Sequence, residues 1–138
     1  MTYEEKVRWL KRYQDSLRIQ RELELEVERL RSEATRITPL LSGMPGGQGD
    51  GQQLPRAVEA ITEAQVELQE QVLCCEELRR EVLAVIEAVP DVRNREILRR
   101  RYVLGQRWEK IGEDMSMNVR WVYKRHRKIV TCMAYVTV

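Results

Sequence analysis

A chain of 138 residues with 43% apolar content, 33% charged residues and a net charge of +2 has room for one ordinary domain, or a small domain with a helical extension. Aromatics make up only 6% and Phe is absent, a balance that suits long solvated helices better than one thick core. No 18-residue apolar run is present and Met1 to Asp15 is charged throughout, so neither a membrane span nor a secretory signal is expected, and a cytoplasmic location is.

The first long helix is expected over residues 1–37. Tyr3 to Ile37 contains neither Gly nor Pro, and Leu23, Val27, Leu30, Ala34 and Ile37 recur at alternating four- and three-residue steps. Tyr3, Val7, Leu10, Tyr13 and Leu17 make a similar stripe earlier, with a register break between Leu17 and Leu23. Trp9 and Tyr13 are read as seam residues of this helix. Residues 38–55 hold five of the seven glycines and three of the four prolines, which predicts a flexible, partly disordered linker. Pro55 can open a second long helix over 56–89, with a stripe of Val58, Ile61, Gln65, Leu68, Val72, Cys75, Leu78, Val82 and Val85. Two such helices can form an antiparallel hairpin, a four-helix bundle by dimerisation, or a parallel coiled coil, so a homo-oligomer through the N-terminal helices is expected. Cys74, Cys75 and Cys132 have no CxxC or zinc spacing, so free thiols and no metal or cofactor are expected.

Pro90-Asp91 is a stop followed by a start, with Asp91 as N-cap of a third helix whose inner residues are Ile97, Leu98 and Tyr102 and whose end suits Gly105. A helix–turn–helix follows, completing an expected domain over 91–138. Ile111 faces inward, Gly112 permits close helix contact, Met115 and Met117 flank the turn, and Asn118 caps the second helix. Met117 and Val122 fit a hydrophobic staple, and Val122 with Ile129 seats the helix. His126 is read as a packed histidine, and Trp108 and Trp121 as core or rim packing. The apolar tail Thr131 to Val138 is expected to pack locally or on a partner subunit.

Arg93 to Lys128 holds twelve Lys/Arg against four Asp/Glu, whereas the remainder holds twelve against eighteen. A basic end on an acidic body implies a polyanion, most simply double-stranded DNA. Val119, Arg120, Tyr123, Lys124 and Arg127 are expected to face outward from the second helix after its cap, Asn118. Arg120, then Lys124, is the candidate for base edges, while Arg107, Lys110, Arg125, Arg127 and Lys128 are candidates for phosphates.

Ile97-Leu98-Arg99-Arg100-Arg101-Tyr102, Trp108-Glu109-Lys110-Ile111-Gly112 and Asn118-Val119-Arg120-Trp121-Val122-Tyr123 resemble region four of bacterial sigma factors, which reads promoter DNA. With its N-terminal helices, the chain is similar to small phage and prophage late transcriptional regulators of the ArpU/RinA type. Ser116 departs from the sigma-type pattern, which commonly has Gly at the left-handed turn position, and this carries a conformational cost. The resemblance implies an all-α protein in which a long helical hairpin or coiled coil precedes a small sigma-region-four-like helix–turn–helix. It implies a bacteriophage-type transcriptional regulator, with RNA polymerase as a candidate partner. A small-terminase-like DNA-packaging protein and a coiled-coil adaptor are the competing expectations. No acid–base pair in a glycine-framed pocket and no nucleophile signature is visible, so an enzyme is not expected.

Overall fold

The computed structural model describes residues 1–42 and 51–134, the side chains of 38–42 excepted, and every regular element among them is a helix. In chain order these are α1 (Tyr3–Ser42), α2 (Gln53–Glu87), α3 (Val92–Tyr102), α4 (Trp108–Asp114) and α5 (Val119–Cys132). The all-α expectation holds, with shifted boundaries. α1 continues past Ile37 and through Pro39, which forfeits one backbone bond without ending the helix. α2 begins two residues before Pro55, which still lies in the first turn, where its missing N–H has no partner to lose. Of the expected flexible linker, residues 43–50 lie outside the described residues, as do 135–138 of the apolar tail.

Contacts divide the chain into two compact units, Met1–Leu17 with Cys75–Val138, and Arg18–Cys74. In the first unit the start of α1 runs antiparallel to the end of α2, since Ser16 Oγ lies 2.9 Å from Cys75 Sγ while Arg12 pairs with Glu81 at 2.8 Å. Leu10 and Tyr13 of α1, Val82, Val85 and Ile86 of α2, Ile97, Leu98 and Tyr102 of α3, Ile111 of α4 and Val122, Ile129 and Val130 of α5 share one core. Thus the helix–turn–helix expected over 91–138 shares that core with the first turns of α1. Cys74 is exposed and Cys75 buried, as adjacent helical residues should be.

The second unit is thinner. Among its described residues only Val27 is buried, with Leu23, Leu30, Ala34 and Ile37 half-buried on the same stripe. In the register break of α1, between Leu17 and Leu23, only the polar residue Gln20 is half-buried. The stripe expected on α2 is corrected at its start. Ile61 and Leu68 are half-buried as expected, but Val58 is 53% exposed and Gln65 is exposed, while Ala57 and Ala64 are half-buried instead. A preference for large apolar residues misses alanines, whose small side chains cost little entropy to order.

No helix among the described residues is long and apolar enough to cross a membrane. Leu10 is fully buried in the shared core. Leu10→Ala should therefore cost about 2–5 kcal/mol and lower the melting midpoint by on the order of 10 °C, followed by circular dichroism. An unchanged midpoint would mean that α1 is not part of the unit.

Candidate nucleic-acid interface

α4 and α5 cross closely because Gly112 has no side chain. A Cβ there would lie 2.8 Å from the Met117 carbonyl oxygen and 3.3 Å from Val119 Cγ2. The turn between them passes through Ser116 at φ +54°, the left-handed conformation anticipated from its position. Met117 N–H then donates to the Gly112 carbonyl at 2.8 Å, and Met115 is buried beneath. Asn118 ends the turn and caps α5, its side-chain oxygen accepting from Arg120 N–H at 2.8 Å. Asp91 caps α3 in the same way, accepting from Asn94 N–H at 3.1 Å; this bond is the main reason its carboxyl sits below the usual range. Gly105 adopts φ +71° after α3, and a Cβ there would meet the Gln14 side chain at 2.7 Å.

His126 fastens α5 to the rest of its unit. It is buried on the inner face with Val122, Ile129 and Val130. Its Nε2 lies 2.6 Å from the Tyr102 hydroxyl and its Nδ1 3.4 Å from the Tyr3 hydroxyl, while Trp108 packs edge-on at 4.6 Å. One residue each from α1, α3, α4 and α5 therefore meets at this ring. Burial first, then the cations Arg101 and Lys11, lower its pKa from 6.5 to about 4. The ring is neutral near pH 7 and keeps one nitrogen to donate and one to accept. Farther along α5, Lys6 of α1 donates to the carbonyls of Thr131 at 3.0 Å and Met133 at 2.9 Å, placing a cation on the negative end of the helix.

The basic surplus of this region divides by geometry. On α3, arginines are spent on partners within the chain. Arg93 donates to the Met115 carbonyl, Arg95 to the Val89 carbonyl and Arg101 to the Gln106 carbonyl, with Arg101 also over the Trp108 ring at 4.4 Å. Arg99 pairs with Glu87 at 2.7 Å, and Arg100 with Glu96 at 2.9 Å and Asp114 at 3.1 Å. α5 differs: it contains no Asp or Glu, and Arg120, Lys124, Arg127 and Lys128 are all exposed.

The other expected site residues are distributed as follows. Arg127 lies over the Tyr3 ring at 4.6 Å, and Tyr123, 44% exposed, packs at 5.2 Å from Trp108. Arg107 is exposed at the N-cap position of α4. Val119 is half-buried against Gly112. Lys110 pairs with Asp114 at 3.0 Å, whose hydrogen bond and charge raise its pKa. Half-buried Arg125 turns aside to donate to Asn94 Oδ1 at 2.9 Å.

Trp121 corrects the packing expectation. It is 63% exposed, with the Lys124 ammonium 5.3 Å from its ring, and it borders an open groove of about 860 Å³ with Asn94, Met117, Lys124, Lys128 and Cys132. Its position was legible in the helical period: it lies about 100° from Val122 and shares a face with Lys124 and Lys128. Among the described residues no cluster of three or more His, Cys, Asp or Glu could hold a metal ion.

Between pH 6.5 and about 4 the unfolded chain binds a proton that buried His126 excludes. Stability should therefore fall as pH drops through this window, by up to about 3 kcal/mol, and denaturant melts of wild type and His126→Gln should show the variant lacking that slope. Equal slopes in the two proteins would remove His126 as the cause. Ser116→Gly relieves the left-handed strain and should stabilise by about 0.5–1 kcal/mol in the same assay, whereas a loss would mean that the serine side chain itself supports the turn. No family model, curated protein or solved structure matches the chain.

Proposed function

We propose that the chain is a sequence-specific duplex-DNA-binding transcriptional regulator of phage type, with α5 entering the major groove at promoter DNA. The observation that carries this reading is the solvent face of α5, four cations on a helix without a carboxylate, beside α3 arginines that are engaged internally. An α-helix fits a B-DNA major groove, and a closely crossing α4–α5 pair supports such an entry. In this reading Arg120, one residue inside the cap, takes a guanine edge and Lys124 the next position. Trp121 and Tyr123 flank them as apolar contacts, suited to a thymine methyl or sugar. Arg107, Arg127 and Lys128 take phosphates.

Duplex DNA is the partner assigned by this reading, and the assigned role is binding without catalysis. The thin second unit, with Val27 its one buried described residue, supports self-association or contact with RNA polymerase there. The same thinness favours the packaging reading, since a small-terminase-like protein also joins a helix–turn–helix to oligomerising helices. Light scattering separates the two: a ring of roughly eight or more copies indicates packaging, and a monomer or dimer indicates regulation.

The DNA reading is tested by gel-shift titration against duplexes selected from a random library, at several salt concentrations. With about three phosphates neutralised, log K should fall against log salt with a slope near −3. Lys128→Ala should reduce that slope by about one with little change in sequence preference, while Arg120→Ala should cost about 1–3 kcal/mol and relax the preference at one position. A flat salt dependence, or selection that enriches no sequence, would overturn the reading.

A further inference from the structure

The outer face of α2 in the second unit carries two rows of different character. Val58, Thr62, Val66, Gln69 and Leu73 follow at four- and three-residue steps and are all exposed, with Val58, Val66 and Leu73 at 53%, 54% and 62%. The Thr62 hydroxyl is already bonded to the Val58 carbonyl at 2.9 Å, so it makes no polar demand on this row. Glu59, Glu63, Glu67 and Glu70 repeat the same spacing one residue later, and they too are exposed. An uncharged, partly apolar seam thus runs beside an acidic row for roughly 22 Å. Between Arg56 and Arg79 the sequence has no Lys or Arg to neutralise it.

Both rows are costly on a helix that faces only water. The apolar side chains forgo burial, and Glu59, Glu63 and Glu67 place like charges one turn apart, which disfavours the helix. A second copy of the same face is a poor cover, because symmetric pairing brings two acidic rows to one seam. A helix with an apolar stripe flanked by Lys and Arg satisfies both rows at once. We infer that the Val58–Leu73 face of α2 is a docking surface for a basic amphipathic helix of a partner protein. The apolar seam supplies affinity and the acidic row supplies steering and orientation.

The full chain is titrated with two fluorescent peptides of about 20 residues that share one leucine seam, one flanked by lysine and arginine and the other by glutamate. The basic peptide should bind at least roughly tenfold more tightly than the acidic one. Val66→Ser combined with Leu73→Ser, two exposed positions whose replacement should leave the circular dichroism spectrum unchanged, should weaken it by roughly tenfold or more. Glu63→Lys combined with Glu67→Lys should invert the preference between the peptides. Equal binding of both peptides, or unchanged affinity in either variant, would overturn the inference. So would a wild-type dimer by light scattering that the serine variant converts to monomer, since a second copy would then be the occupant. None of these outcomes bears on DNA binding by α5, which lies in the other unit.

Discussion

The ring of His126 is the point on which the first unit turns. It must stay neutral, because burial and the cations Arg101 and Lys11 oppose a charge there, and it must be partnered, because a buried polar ring without hydrogen bonds is costly. Tyr102 and Tyr3 meet that demand from α3 and α1, and Trp108 closes the edge from α4. The orientation of α5 is therefore set by a polar constraint as well as by Val122 and Ile129. Its exposed cations inherit that orientation. Lys6 strengthens the arrangement from the same side of α1, so the helix that presents the basic face is held at its middle and at its end.

Charge counted along a sequence and charge presented at a surface are different quantities here. The α3 arginines look like a continuation of the basic face, but each has an internal acceptor, a carboxylate or an aromatic ring within reach. Guanidinium suits such work, since its planar fork can satisfy several carbonyls at once. The acidic row on α2 is the converse case, because nothing in the chain between Arg56 and Arg79 offsets it.

Helix identity and the caps were legible in the residues. The three- and four-residue steps announced α1 and α2, Asp91 and Asn118 announced the starts of α3 and α5, and Gly112 and Ser116 announced the tight turn. Local chemistry determines all of these. What sequence could not supply was the choice made by packing across the chain. On α2, Ala57 and Ala64 are half-buried where Val58 and Gln65 were expected inward. Arg125 turned aside because Asn94, 31 residues earlier, stood nearby on α3. Such choices rest on neighbours distant in sequence, which periodicity alone does not encode, whereas the outward face of Trp121 was already implied by its helical angle to Val122.

The first seventeen residues belong to a unit whose remaining parts begin again at Cys75. Tyr3 and His126, whose side chains meet in this unit, are 123 residues apart in the chain. Closing that interval is only weakly penalised by its length, because loop entropy grows logarithmically. The inner face of α5 is therefore complete only where the first turn of α1 has joined α3 and α4 around His126.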